Sequence, residues 1–303
     1  MQTTPVTTEQ LSASVIAVPP LARHGDLTLA PEENRKIASH IEAGGVRTLL
    51  YGGNANFYHI AVSDYANTLA MLVDIAGPDT LVIPSVGPAF GTMMDQADVL
   101  ADFAFPTVMI LPQKEIATSS GIATATRMFS ERIGRQVVLY LKHDRIMDVE
   151  DVESLVNDDV VSFIKYAVVL EDTANDRYLS EITARVDPKK IVSGIGEQPA
   201  IVHTRDFSLA GFTSGCVCVA PSLSMKMLGA INNQDFETAE SIRRTFEPLE
   251  DHRNSINPIR VLHAAVEAAG IADTGPHLPL LSPVSDAEFA RIKIAALELL
   301  QHN

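Results

Sequence analysis

The chain has 303 residues and a formal net charge of −15, and hydrophobic residues make up 46% of it. This composition excludes a disordered chain, and the excess of acidic residues argues against binding to the phosphate backbone of nucleic acids. No apolar run is long enough to span a membrane, and the polar segment Met1–Gln10 lacks the features of a signal peptide. The only cysteines, Cys216 and Cys218, form neither a CxxC redox motif nor a zinc knuckle. We therefore expect a reduced, cytoplasmic protein.

Short apolar runs rich in β-forming residues recur along the chain, and amphipathic patterns separate them. The predicted strands are Ser14–Val18, Val46–Tyr51, Thr80–Pro84, Pro106–Leu111, Gln136–Lys142, Val160–Lys165, Lys189–Ser193 and Phe212–Val219. The helical patterns between them include Glu32–Glu42, Asp64–Ile75, Met94–Asp102 and Gly121–Arg132. Continuously apolar strands are typical of a sheet covered on both faces. Eight such strands alternating with helices predict an α/β fold, a (β/α)8 TIM barrel.

Three more helical patterns follow the eighth predicted strand, at Phe236–Glu247, Pro258–Ala269 and Ser285–Gln301. Their apolar faces need a partner, so we expect a helical extension that packs on the barrel or on another subunit. The predicted organisation is a disordered or extended tail at residues 1–11, a barrel at residues 12–222 and a C-terminal helical extension at residues 223–303.

Lys165 lies within the apolar run Val160–Val169, in the sixth predicted strand. A lysine in the dry interior of a barrel loses the hydration of its ammonium, which lowers its pKa and frees the amine as a nucleophile. A neutral amine can add to a ketone and form a Schiff base, whose iminium acts as an electron sink. The alternative is a lysine whose stem packs while its charge reaches water. Lys142, in the fifth predicted strand, is a rival candidate that composition does not separate from Lys165.

Tyr140 shares one face of the fifth predicted strand with Lys142, because side chains alternate along a strand. If Leu139 and Leu141 face the helices, Tyr140 points into the barrel mouth. A phenol there can shuttle a proton, and the charge of Lys142 would lower the pKa of Lys165 further. The alternative is a tyrosine that fills the barrel with its hydroxyl already bonded.

Two glycine-containing loops follow predicted strands, where a barrel carries its chemistry. In Gly52–Phe57, glycines allow a close backbone approach and free N–H groups can bind a carboxylate or phosphate, with the Asn54 amide as a further donor. Ser193–Glu197 follows the seventh predicted strand, where many barrels bind phosphate, and Gly194–Gly196 would serve a phosphosugar enzyme. Each loop is also typical of a simple turn.

The nine histidines show no HxxxH or HxH spacing, and the chain has no nucleophile elbow, P-loop or kinase motif. We therefore expect neither a metal nor another cofactor. The expected partner is a small-molecule substrate, and we expect no binding to nucleic acid or membrane.

Taken together, these strand ends resemble the dihydrodipicolinate synthase / N-acetylneuraminate lyase family, the pyruvate-type class I aldolases. The resemblance runs from about Val15 to the last helix and implies a barrel with a C-terminal helical extension and a homo-oligomer, a dimer or usually a tetramer. It also implies that Lys165 forms the Schiff base, rather than Lys142, and that Tyr140 transfers protons. The substrate-binding positions implied by the resemblance are Gly53, Asn54, Arg145, Gly194 and Val217.

The chain departs from this family at two places. Gly53 and Asn54 replace two threonines, so a hydroxyl relay from Tyr140 cannot run through them. The segment Leu111–Lys114 replaces a Pro-Pro-Tyr-Tyr sequence, so a tyrosine given to a partner subunit is missing as well. Because dihydrodipicolinate synthesis uses that relay, the surviving residues favour another reaction.

The sequence therefore predicts a Schiff-base-forming lyase, an aldolase or dehydratase, that acts on pyruvate or a 2-keto-3-deoxy sugar acid. The alternative is a non-catalytic paralogue that binds a 2-oxo acid. Retention of both Lys165 and Tyr140 argues against the alternative, because binding alone needs neither.

Overall fold

The computed structural model describes all 303 residues. Nine parallel strand segments form one sheet, because continuously apolar runs can be buried on both faces. They are β1 (Ile16–Ala17), β2 (Thr48–Leu50), β3 (Leu81–Ile83), β4 (Ser85–Val86), β5 (Val108–Ile110), β6 (Val137–Leu141), β7 (Val161–Tyr166), β8 (Ile191–Ser193) and β9 (Gly211–Ser214).

The sheet closes into a barrel. Its segments follow the order β3-β2-β1-β9-β8-β7-β6-β5-β4, and β1 pairs with both β2 and β9. The two ends of this order, β3 and β4, are separated in sequence only by Pro84, which has no N–H to donate to a ladder. The nine segments therefore make eight strands, and the predicted (β/α)8 barrel is confirmed.

Twelve helices accompany the strands. They are α1 (Thr8–Ala13), α2 (Pro31–Ala43), α3 (Val62–Ile75), α4 (Phe90–Leu100), α5 (Ser119–Ile133), α6 (Val149–Asn157), α7 (Arg177–Thr183), α8 (Ala200–Phe207), α9 (Pro221–Asn232), α10 (Phe236–Ser255), α11 (Pro258–Ala268) and α12 (Asp286–Leu300). Helices α2 to α9 surround the barrel, and α9 packs beside α2 to complete the ring. No helix is both long enough and apolar enough to cross a membrane.

The amino terminus is more ordered than its polar composition indicates. Residues 8–11, expected in a disordered or extended tail, belong to α1, which begins with a capping box between Thr7 and Gln10. Leu11 of this helix is buried, and its carbonyl oxygen would lie 2.5 Å from a Cβ placed on Gly211. The helix is therefore packed against the start of β9.

The eighth strand is shorter than predicted. It ends at Ser214, whose Oγ accepts a hydrogen bond from the N–H of Val217 at 3.0 Å. This bond accompanies a 3-10 turn at Cys216–Cys218 that ends the strand. The two cysteines are buried and unpaired, and they lie in this turn rather than on the predicted strand Phe212–Val219.

The predicted extension after the barrel is present as α10, α11 and α12. Its apolar faces form a separate buried cluster that includes Phe246, Val261 and Leu299 together with Cys216 and Val219. The extension therefore packs against the segment that leaves the last strand, at the carboxyl end of the barrel.

Candidate active site

A cavity of about 200 Å³ lies at the carboxyl ends of the strands. It is bounded by strand residues, by the loops after the strands and by the extension, including Gly53, Asn54, Tyr140, Lys165, Gly194 and Arg253. Active sites of (β/α)8 barrels lie at this end, and pockets for drug-sized ligands are usually larger, about 300–1,000 Å³. The cavity therefore suits a small metabolite.

Lys165 lies on β7, and only 6% of its surface is exposed. Burial lowers its pKa to about 7, and the nearby charges of Lys142 and Arg253 contribute to this shift. Its Nζ lies 4.4 Å from the centroid of the Tyr140 ring, an arrangement that favours the protonated form. Near neutral pH the side chain is therefore divided between ammonium and the nucleophilic free amine.

Tyr140 stands beside Lys165 because their Cα atoms are register partners in the pairing of β6 with β7. Burial raises the pKa of its hydroxyl above the ordinary range, so the phenol keeps its proton and can donate it. Lys142 also reaches the cavity, and its Nζ lies 5.7 Å from the centroid of the Tyr58 ring. The structure thus brings both predicted lysines and the predicted tyrosine together.

The loop after β2 is held by contacts to β1 and to the extension. Gly53–Ala55 form a 3-10 turn, and the side-chain Nδ2 of Asn54 donates a hydrogen bond to the carbonyl of Val18 at 2.9 Å. The Asn54 carbonyl accepts a hydrogen bond from Nε2 of His263 on α11, also at 2.9 Å. Burial lowers the pKa of His263 to about 3, so this ring is neutral. The Asn54 amide, predicted as a donor to an anion, therefore holds the loop instead, while Gly53 and Asn54 both line the cavity.

Gly194 follows β8 and touches the stem of Lys165. Its N–H donates a hydrogen bond to the carbonyl of Tyr166 at 2.6 Å. A Cβ at this position would lie 2.7 Å from the Cβ of Ala167 and 3.1 Å from Cγ of Lys165. The absence of a side chain therefore gives the lysine room to extend into the cavity.

Replacing Gly194 with alanine is expected to lower the free energy of unfolding by about 1–3 kcal/mol, the usual cost of overpacking. The added methyl group must displace Lys165 or the Ala167 backbone, so the reactivity of the lysine should fall as well. Urea unfolding measures the first effect, and the rate of amine modification at Lys165 measures the second. Gly229→Ala is the matched control, because a Cβ at Gly229 meets nothing within 4 Å. Equal results for both variants would contradict the close contact.

Arg145 and Val217 do not line the cavity, although the family resemblance implied that they would. Arg145 lies on the outer surface, where its Nη2 is 2.9 Å from Oε2 of Glu181 and its guanidinium lies over the ring of Tyr178. Val217 is fully buried in the 3-10 turn after β9. The structure therefore brings Gly53, Asn54 and Gly194 to the cavity, and leaves these two residues outside it.

Four polar residues of the cavity were not predicted from the sequence: Tyr58, Thr213, Arg253 and Asn254. Arg253 and Asn254 lie near the end of α10, in a stretch whose charges resemble an ordinary solvated helix face. The one signal near them was the glycine-containing loop after β8, Ser193–Glu197, which is also typical of a simple turn.

Two carboxyl groups are buried just outside the cavity. Glu250 accepts hydrogen bonds from the N–H groups of Glu197 and Gln198 at 3.0 and 2.9 Å, and Glu197 accepts one from the hydroxyl of Ser224 at 2.8 Å. Burial raises the pKa of both carboxyl groups, and their mutual repulsion adds to the effect on Glu250. Together with Cys216 their ligand atoms lie within 4.8 Å of one another. Burial favours the neutral form of both carboxyl groups, and the Arg253 cation lies near them, so we do not assign a metal to this group.

No protein-family model and no curated protein matches the sequence. Solved structures do match the fold. Dihydrodipicolinate synthase from Bacillus clausii superposes with a TM-score of 0.83 at 21% identity, over 97% of this chain and 98% of that one. The Oceanobacillus iheyensis synthase superposes with a TM-score of 0.83 at 18% identity, over 95% of this chain and 98% of that one. Sialic acid aldolase from Ruminococcus gnavus superposes with a TM-score of 0.84 at 15% identity, over 96% of this chain and 98% of that one. A structure of its catalytic lysine mutant also matches.

The chain has the fold of the dihydrodipicolinate synthases and sialic acid aldolases. Because the superposition covers nearly the whole length of both chains, it includes α10 to α12 as well as the barrel. The dihydrodipicolinate synthase fold predicted from the strand-end residues is thus confirmed. At identities of 21% or lower, the superposition establishes the fold, and activity has to be argued from the cavity itself.

Proposed function

We propose that the protein is a lysine Schiff-base lyase, an aldolase or dehydratase, that acts on pyruvate or a 2-keto-3-deoxy sugar acid. The observation that carries this proposal is Lys165, a buried lysine in a small cavity at the catalytic end of a barrel, with a pKa of about 7. A further support is that the R. gnavus aldolase, which shares the fold, has a catalytic lysine.

In this mechanism the neutral amine of Lys165 attacks C2 of the 2-oxo acid and forms a carbinolamine. The C2 oxygen takes up a proton and leaves as water, which gives the iminium. The iminium then accepts the electron pair released when the bond at C3 is cleaved, or when a C3 proton is removed before dehydration. Tyr140 is the proposed proton donor and acceptor in these steps, because its ring centroid lies 4.4 Å from Nζ of Lys165 and burial keeps its phenol protonated in the free protein.

The backbone at Gly53 and Asn54 is the proposed site for the C1 carboxylate. The first N–H groups of a helical turn have no acceptor within the turn, and they attract anions. Because Asn54 is tied at its side chain to Val18 and at its carbonyl to His263, the two N–H groups are held in place before the substrate arrives. We do not propose dihydrodipicolinate synthesis, because no threonine hydroxyl is present at these two positions to relay protons from Tyr140.

Borohydride reduction in the presence of pyruvate tests the proposal directly. We expect intact-mass spectrometry to show one reduced adduct, and peptide mapping to place it on Lys165. Lys142→Met is the matched control, because it removes the other cavity lysine and should leave the adduct in place. An adduct on Lys142 would support the Schiff-base mechanism but identify Lys142, not Lys165, as the nucleophile. Absence of any adduct from folded protein would favour the alternative, a non-catalytic 2-oxo-acid-binding protein.

We also propose that the protein is a homo-oligomer. An apolar hollow of about 530 Å³ lies between the barrel wall and α5, and Phe90 and Ile116 at its rim are exposed by 45% and 79%. Large apolar side chains grouped at a hollow are typical of a protein–protein interface. Sedimentation velocity measures the mass of the assembly, and a monomer at micromolar concentration would contradict this part of the proposal.

A further inference from the structure

The cavity is positively charged in a protein whose net charge is −15. Lys142, Lys165 and Arg253 all line it, and no aspartate or glutamate does. One of these cations, Lys165, is consumed as the proposed nucleophile. The loop at Gly53 and Asn54 is the proposed site of the C1 carboxylate, so the remaining positive charge exceeds what a 2-oxo monoacid requires.

Arg253 is unusual among these cations because it comes from the extension and enters the mouth of the barrel. Two glycines make its entry possible. A Cβ at Gly215 would lie 2.7 Å from Cζ of the Arg253 guanidinium, and a Cβ at Gly196 would overlap the carboxylate of Glu250 on the same helix. A side chain at Gly215 or Gly196 would therefore displace the end of the Arg253 or the Glu250 side chain.

The guanidinium of Arg253 is not committed to an ion pair. Its Nε donates a long hydrogen bond of 3.4 Å to the carbonyl of Pro258, and no carboxylate oxygen lies within the 4.0 Å of an ion pair. By contrast, Arg243 and Arg260 of the same extension each pair with a glutamate, Glu240 and Glu288. Glu197 and Glu250 attract the Arg253 charge from beyond ion-pair distance, and burial raises the pKa of both carboxyl groups and so favours their neutral forms. The guanidinium therefore keeps hydrogen-bonding capacity for a ligand in the cavity that it lines.

We propose that Arg253 binds a second anionic group on the substrate, a carboxylate at the end remote from the C2 carbonyl. The inference deepens the proposed function and rests on it: the preferred substrate is then a 2-oxo diacid, such as a 2-keto-3-deoxy aldarate, rather than pyruvate alone or a sugar acid with one carboxylate. Arginine suits this role because its planar fork can bind a carboxylate through two parallel hydrogen bonds. Arg145, which the family resemblance assigns to such a carboxylate, lies outside the cavity and pairs with Glu181.

Trapping with matched pairs of acids tests the assignment. 2-Oxoadipate and 2-oxohexanoate have the same chain length and differ in the distal carboxylate, as do 2-oxoglutarate and 2-oxopentanoate. For the wild-type protein, the concentration that gives half-maximal borohydride trapping should be about 10- to 100-fold lower for one of the diacids than for its monoacid, as expected for a charged hydrogen bond. Arg253→Gln should abolish this preference. Because the Arg253 charge also lowers the pKa of Lys165, monoacid and diacid are compared within the same variant at the same pH.

Three further variants separate this role from others. Arg145→Gln should keep the preference, because its side chain is outside the cavity. Ser224→Ala disturbs the buried carboxyl pair through Glu197 without touching the cavity, so it should also keep the preference. Arg253→Lys, which retains the charge and loses the fork, should show an intermediate preference and remains informative if Arg253→Gln fails to fold.

Several outcomes would overturn the assignment. One is a wild-type protein that traps pyruvate but shows no preference for either diacid, and another is loss of preference in Arg145→Gln. A diacid preference that survives in Arg253→Gln, with both acids weakened equally, would show that Arg253 does not bind the distal carboxylate. If pyruvate is not trapped at all, the proposed function fails, and isothermal titration with the same acids still measures the anion site. If the diacid then binds more tightly than its monoacid, and if this difference is lost in Arg253→Gln, the result supports the carboxylate site although the lyase activity is absent.

Discussion

Lys165→Met is expected to abolish the reduced pyruvate adduct and to lower lyase activity by roughly 10⁴-fold or more, as removal of a covalent nucleophile does elsewhere. Methionine fills a similar volume without an amine, so the cavity keeps its shape while the Schiff base becomes impossible. Activity measured with a 2-keto-3-deoxy acid and the trapped mass provide two independent measurements. Retention of activity above one-hundredth of the wild-type value would require a different mechanism.

The same substitution is expected to stabilise the protein. Burial lowers the pKa of Lys165 from 10.5 to about 7, so the unfolded state binds the proton more tightly. The cost to folding is complete below pH 7 and shrinks as the pH rises from 7 toward 10.5. At 1.36 kcal/mol per pKa unit, the full cost is up to about 5 kcal/mol. In urea unfolding, the free energy of unfolding of Lys165→Met should therefore exceed that of the wild type most clearly at pH 6.5 and only slightly at pH 9.5. A gain independent of pH would show that the lysine is not titrating as described.

The pH dependence of adduct formation follows from the same pKa. Only the unprotonated amine attacks C2, so the rate of Schiff-base formation by the free enzyme should rise through pH 7 and level off above it. This dependence links the stability and activity effects of Lys165 to one titration.

Tyr140→Phe is expected to lower lyase activity by about 10²- to 10³-fold, within the range for loss of a general acid–base group. The phenyl ring remains beneath Nζ of Lys165, so the packing and the cation–π contact persist while the hydroxyl is lost. The variant should still form the pyruvate adduct on Lys165, only more slowly. Quenched-flow trapping measures the rate of adduct formation, and a steady-state assay measures turnover.

Tyr58→Phe is the comparison that identifies the phenol responsible. Tyr58 also lines the cavity, and burial raises its pKa to about 12, but its ring lies beside Lys142 rather than Lys165. A smaller loss for Tyr58→Phe than for Tyr140→Phe is expected. The reverse order would transfer the proton-transfer role to Tyr58.

The parts of the site that were predicted from the sequence are those whose signal is local. Lys165 interrupts an apolar strand, and strand alternation alone places Tyr140 on the same face as Lys142. The residue pattern did not decide between Lys165 and Lys142 as the nucleophile, and the structure brings both side chains to the cavity. What distinguishes them is depth, since burial lowers the pKa of Lys165 to about 7, the larger of the two shifts. The burial of each side chain depends on the packing of the whole barrel and cannot be predicted from the sequence of either strand.

The parts that were missed depend on tertiary packing. Arg253 lies more than 80 residues after Lys165 in the chain, on a helix rich in charge, and its neighbours in sequence resemble an exposed face. Gly196 lies in a loop that is typical of a simple turn, yet the space that it and Gly215 leave is filled by side chains of α10. Arg145 shows the opposite error, because a position matched by spacing alone lies on the outside of the barrel, paired with Glu181.

The contrast between the acidic chain and its cationic cavity affects how an anion is captured from solution. At long range the net charge of −15 repels a dicarboxylate, whereas within the cavity the lysines and the arginine attract it. Physiological salt screens charges over about 8 Å in water but has less effect between partly buried groups. Added salt therefore weakens the repulsion at a distance more than the attraction at the site. Moderate ionic strength thus favours encounter, in contrast to enzymes whose whole surface attracts the substrate.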